Sequence, residues 1–159
     1  MKRLLRPHGS SGSLLYRATR DGQRYVDFHS RCDNKGATAV LWRTDDNRVF
    51  GGFTSVSWDS VSKGWKNDPK AFIFSLDKQL VFPVQDSNKA IMCSGSWGPN
   101  FGGGGSNDLS SESEPFFENS ICYASKQFYK ISADDKGNSV LTGKSRKFTP
   151  VEIEVFLIS

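Results

Sequence analysis

A chain of 159 residues, 36% hydrophobic and 24% charged, has the length of one domain and can bury a core without disulfide or metal staples. That composition excludes a disordered chain, and no apolar run nears the ~20 residues a membrane-crossing helix needs. The formal charge of +4 is unevenly placed: residues 1–31 hold seven bases (Lys2, Arg3, Arg6, Arg17, Arg20, Arg24, Arg31) against Asp21 and Asp27, and the remainder is nearly neutral.

The opening stretch MKRLLRPHGSSGS reads as a basic, flexible arm over residues 1–13, with Lys2, Arg3 and Arg6 as candidate interaction residues on an acidic partner. It lacks the apolar segment of a secretory signal; a short transit peptide is the alternative. The domain proper then runs over 14–159. LLYRA (14–18) reads as a strand, and DGQRYVDFHSRCDNKG (21–36) as a helix capped by Asp21, with Tyr25, Phe28 and Cys32 on one buried stripe. Strands are expected at 37–42 and 49–58 around the turn TDDNR, at 71–76 and at 79–84, where Pro83 marks an edge. Residues 62–70 read as a loop, and 90–95, 121–125, 127–131 and 139–143 as further strands. The closing VEIEVFLI (151–158) alternates, with Val151, Ile153, Val155 and Leu157 on one face. Many short strands with close turns, 15 glycines and 12 phenylalanines predict an α+β, mainly β fold: a two-sheet antiparallel β-sandwich with one or two helices.

Four consecutive glycines, Gly102, Gly103, Gly104 and Gly105, raise the question of a phosphate cradle. A dinucleotide loop needs G-x-G-x-x-G between strand and helix, and here Ser106, Asn107 and Asp108 follow instead. Gly143-Lys144-Ser145 resembles the end of a P-loop, but Gly137 is one residue too far upstream. No nucleotide or other cofactor is therefore expected. Cys32, Cys93 and Cys122 are far apart with no C-x-x-C, so neither a cysteine zinc site nor a disulfide framework is indicated. His29 and Cys32 are one helical turn apart, which a Cys-His nucleophile would need; the preferred reading packs Cys32 inward with His29 at the rim. Glu152 and Glu154 share a strand face, more simply a solvated face than an acid–base pair. Trp58, Trp65 and Trp97 near polar loops leave a carbohydrate-binding sandwich as a weaker alternative.

The segments LLYRATRDG, FHSRCDNKGAT, VFGGFTSVSW, NDPKAFIFSL, FGGGGSNDL and VEIEVF occur in the order found in TLDc domains, which the chain resembles from Leu14 to Leu157. The resemblance is to the oxidation-resistance family, short stand-alone protist members above all. It implies a two-sheet sandwich, a role in oxidative-stress resistance, and action on the vacuolar proton ATPase. It implies no established catalytic mechanism. It makes Gly51, Gly52, Gly102, Gly103, Gly104 and Gly105 structural glycines, where backbone passes closely or φ is positive. It places Cys122 at the family's cysteine position and Glu154 at the acid of the closing strand. The chain stops at Ser159 without the terminal helix some members use to grip the ATPase.

The expectation is a non-catalytic, cytoplasmic protein-binding module, with the vacuolar ATPase as leading partner. The alternative is a structural subunit of a ciliary or mitochondrial assembly anchored by the basic arm. Neither nucleic acid nor membrane insertion is expected. If any thiol senses oxidants, Cys122 is the expected one, since Cys32 and Cys93 should be shielded and Lys126 could lower its pKa.

Overall fold

A computed structural model describes residues 12–102, 108–111, 113–118, 120–122, 128–131, 139–144 and 147–159. The expected arm up to residue 11, Gly103, Gly104, Gly105 and Lys126 lie outside the described residues.

Two six-stranded antiparallel sheets face one another. The first runs in the order β1 (Gly12–Arg17), β12 (Pro150–Ile158), β2 (Thr38–Thr44), β3 (Val49–Thr54), β5 (Phe72–Ser75), β6 (Leu80–Pro83). The second runs β11 (Lys147–Phe148), β10 (Ser120–Cys122), β9 (Leu109–Ser111), β8 (Asn100–Phe101), β7 (Ile91–Cys93), β4 (Gly64–Lys66). This is the mainly β, two-sheet sandwich that the strand spacing predicts. Pro83 lies on the edge strand β6, where its missing N–H costs no ladder bond.

The closing strand holds the first sheet together, between the amino-terminal strand and the central hairpin. Ile153 and Val155 are fully buried between the sheets, and Glu152 and Glu154 point away. The alternation fails at Val151, which is 37% exposed: the register slips between Pro150 and Glu152, and the bulge leaves Val151 opposite no partner. Where the sheets meet, large aromatics interlock. Trp42, Trp58 and Tyr129 each stand edge-on to Phe101, and Phe28 stands edge-on to Trp58. Their polar handles are satisfied: Trp42 Nε1 donates to Ser111 Oγ, Trp58 Nε1 to Thr38 Oγ1, and the Tyr129 hydroxyl to the Ala90 carbonyl.

The helical region differs from the expected single helix. Ala18–Asp21 forms a one-turn α1, Gly22 breaks it at φ 111°, and α2 runs from Tyr25 to Cys32. Asp21 does not cap α2; it reaches back to the Arg17 amide at 2.9 Å. Asp27 serves α2 instead, accepting from the backbone and guanidinium of Arg24. Phe28 and Cys32 are buried as the stripe predicts, while Tyr25 is half-buried.

Three other expectations are corrected. The loop at 62–70 contains strand β4, because residues 64–66 pair with β7. Residues 128–131 form no strand; Tyr129 makes one isolated bridge to Val84. Residues 139–143 fold as a turn closed by Gly143 N to Ser139 O at 2.8 Å, with Gly143 at φ 65°.

Candidate functional site

The described glycines of the two runs divide into two kinds. Gly51 and Gly52 sit in β3, where the chain passes under its neighbours. A Cβ on Gly51 would fall 1.9 Å from the Val40 carbonyl oxygen, and one on Gly52 would fall 2.6 Å from the Phe101 ring. Gly102 follows β8 at φ 87°, and Asp108 N donates to the Phe101 carbonyl at 3.0 Å, closing the connection to β9. The structural role expected of Gly103, Gly104 and Gly105 falls outside the described residues, so within the four-glycine run the structure bears on Gly102 alone. The run lies between two paired strands of one sheet, where a phosphate loop would lead from a strand into a helix. In the P-loop-like segment, Lys144 approaches Asp45 at 3.6 Å from the turn at 139–143.

The three thiols are buried. Cys122 is 1% exposed, and burial pushes its thiol up to about 12, only partly offset by a 3.2 Å contact with Ser139 Oγ. Burial likewise raises Cys93 to about 11 and Cys32 well above the usual thiol range. The expected contrast between a reactive Cys122 and two shielded thiols is thus corrected: β10 faces Cys122 into the core with the others, and little thiolate forms at neutral pH.

His29 is also corrected, from the rim to the interior at 6% exposure. Its Nε2 lies 2.9 Å from the Ser94 carbonyl and 2.8 Å from the Trp97 carbonyl. Carbonyls only accept, so this geometry suits an Nε2–H donor shared between the two. Nδ1 meets the Asp33 carboxylate at 2.6 Å. Both ring nitrogens are committed to pinning the 94–97 loop against the end of α2. Neither is left to draw a proton from a nucleophile. Cys32, at 0% exposure, is not presented to His29 as a working thiol would be.

The outer face of the first sheet gathers the charged residues that sequence spacing keeps apart. Antiparallel pairing sets Arg17 of β1 against Glu154 of β12, and the guanidinium places Nη2 and Nε 2.6 and 2.8 Å from one carboxylate oxygen. Glu152 accepts from the Thr19 amide at 3.1 Å and from the Thr19 hydroxyl at 2.5 Å. Arg43 of β2 lies opposite Glu152 in register and is exposed. An open depression of about 500 Å³ lies among these groups, with Leu41, Val49 and Leu76 as its apolar lining. Glu152 and Glu154 do share a face, as alternation predicts, but each is engaged by α1 or β1. Sequence reasoning missed the parts played by Arg17, Thr19 and Arg43. Only the pairing of chain segments over 130 residues apart brings the first two to the acids.

The arginines of the basic block are similarly engaged. Arg20 and Arg31 both reach Asp21, and Arg24 reaches Asp27. The four bases of residues 1–31 that are described, Arg17, Arg20, Arg24 and Arg31, thus serve internal ion pairs. Of the three tryptophans weighed as sugar platforms, Trp58 is fully buried, and Lys89 Nζ lies 5.2 Å from the Trp65 ring centroid. Among the described residues no group of three or more His, Cys, Asp or Glu side chains is arranged to hold a metal ion, and no helix is long and apolar enough to cross a membrane.

Sequence comparison finds relatives in three vertebrates. The MTOR-associated protein MEAK7 of Danio rerio is 27% identical over 88 residues, covering 55% of this chain and 18% of that protein. Its counterparts in Gallus gallus and Mus musculus are 31% and 28% identical, over 43% and 46% of this chain. The matched stretches span at most 18% of the length of these relatives. The family model of the TLDc domain matches residues 6–159, and with the two-sheet sandwich and the ordered motifs from Leu14 onward this chain belongs to the TLDc family.

Proposed function

We propose that the chain is a non-catalytic, cytoplasmic protein-binding module of the TLDc type that docks on a large multisubunit assembly. The observation that carries this reading is the TLDc match over residues 6–159, joined to relatives that are named for association with another protein, mTOR. The geometry favours it over chemistry, because the buried thiols and the doubly engaged His29 ring are spent on the fold. The vacuolar proton ATPase remains the leading partner, and oxidative-stress resistance follows from that regulation rather than from peroxide turnover.

The test is affinity purification from native lysate on the full chain, with mass spectrometry of what is retained at low and at raised salt. Enriched subunits of a proton pump support the ATPase reading. Enrichment of mTOR supports a partner of the kind its relatives are named for and counts against the ATPase as leading partner. Enrichment of ciliary filament or respiratory subunits supports the structural-subunit alternative and overturns the regulatory one. Retention of nothing above a charge-matched control domain overturns the module reading itself.

A further inference from the structure

Two carboxylates and two guanidiniums share the outer face around the depression beside β2, and their engagement is unequal. Glu154 holds Arg17, and Glu152 holds the amide and hydroxyl of Thr19. Glu152 also accepts from the Ile153 amide at 3.1 Å. Arg43 lies across the ladder from Glu152, yet its guanidinium forms no hydrogen bond or ion pair among the described residues. The depression of about 500 Å³ beside it is lined by Leu41, Val49 and Leu76 as well as by the charged groups. A central strand thus presents a fork of five donors next to apolar surface, and the acids that could quench it are held elsewhere.

We propose that this depression is the docking surface for a protein segment that carries a carboxylate side chain beside an aliphatic one. The carboxylate pairs with Arg43, whose planar guanidinium suits bidentate recognition of an acid. The aliphatic neighbour covers Val49 and Leu76, above the buried Leu41. The engaged Glu152 and Glu154 flank the site and repel a second acid or an anion of higher charge, so the surface selects one carboxylate and discriminates against phosphate. Placement on a central strand fixes the Arg43 backbone, and the unpaired side chain is ordered only when the carboxylate engages it. The inference rests on the protein-binding reading and names the surface that would serve it.

The experiment is a selection of random decapeptides displayed on phage against the full chain, followed by fluorescence-anisotropy titration of the enriched peptides. Each is titrated against the parent, Arg43→Gln and Arg43→Glu. Arg43 is exposed, so both variants should melt within a few degrees of the parent, which calorimetry checks. Enriched peptides should carry Asp or Glu next to Leu, Ile or Val. They should bind Arg43→Gln about tenfold more weakly than the parent, and Arg43→Glu more weakly still. Replacing the peptide acid by phosphoserine should weaken binding. Peptides that bind all three proteins equally, or that are enriched in bases, would overturn the surface while leaving the chain a protein-binding module. Failure to enrich any peptide above an unselected library would count against both readings.

Discussion

The Phe101 ring on β8 stands over Gly52 on β3, so that a Cβ on Gly52 would lie 2.6–2.7 Å from three of its ring carbons. The contact joins the two sheets at the centre of the aromatic core, where Trp42 and Trp58 meet the same ring edge-on. Gly52→Ala should therefore cost ~1–3 kcal/mol through overpacking. That lowers the melting temperature by roughly 2–4 °C for each kcal/mol in a domain of this size. Phe101→Leu should recover part of the loss in the double variant, a coupling that a thermodynamic cycle reads directly. Gly51→Ala should cost more than Gly52→Ala, because its obstacle is the Val40 carbonyl and backbone yields less than a ring. Equal and additive losses would show that the two positions are not close-approach glycines.

His29 ties α2 to the 94–97 loop through two carbonyls and Asp33. Replacing it with Ala removes the ring from the Trp97 carbonyl and Asp33, while the Ser94 carbonyl keeps the Trp97 amide, and should cost ~1–3 kcal/mol. Amide exchange in residues 94–98 should quicken more than exchange in the first sheet. His29→Gln keeps one donor and should fall between Ala and the parent. An Ala variant as stable as the parent would mean that the loop is held by its own turn.

The thiols should be slow. With Cys122 raised to about 12 and Cys93 to about 11 by burial, folded-chain alkylation near neutral pH should modify far less than one thiol per chain in the time that the denatured chain loses all three. Mass-spectrometric mapping distinguishes the sites. Rapid, selective labelling of Cys122 would restore it as an oxidant sensor.

Acid should destabilise the amino-terminal region first. The Arg20 hydrogen bond holds Asp21 down to about 2, and the Arg24 hydrogen bond holds Asp27 below the ordinary carboxylate range. A folded value below the unfolded one of ~4 means stability that is complete above the unfolded value and lost as pH falls through the folded one. The melting temperature should be level between about pH 7 and 5 and drop from about pH 4 to 2. Asp21→Asn should lower it at neutral pH and flatten the acid limb. An unchanged limb would assign acid sensitivity to other carboxylates, such as Asp59, whose burial is outweighed by hydrogen bonds from Lys66 and Ser62 that hold it low.

Deleting residues 1–11 removes Lys2, Arg3 and Arg6 and leaves β1, which starts at Gly12. The shortened chain should melt within a few degrees of the parent. Its binding to the native assembly should be weaker, with a shallower dependence on salt, because Arg17, Arg20, Arg24 and Arg31 are held in internal pairs. The same affinity and salt slope in both chains would remove the arm from recognition.

What the sequence determined by itself is local. Period-two alternation is a property of neighbouring residues, so β12 and its outward Glu152 and Glu154 were legible, as were the 44–48 turn and the Phe28–Cys32 stripe. Two-residue strands such as β8 and β11 carry no period to detect, and β4 hid in a loop composition because only pairing with β7 extends it. The functional surface lay further beyond reach. Arg43 is distinguished by what its neighbours are already holding, and that depends on a register joining residues 17–19 to 152–154. Burial of Cys122 likewise follows from which way a three-residue strand faces, and its flanking residues do not encode that. Tertiary structure decided these points because side-chain chemistry depends on solvent access and on partners, and both arise only when distant strands pair.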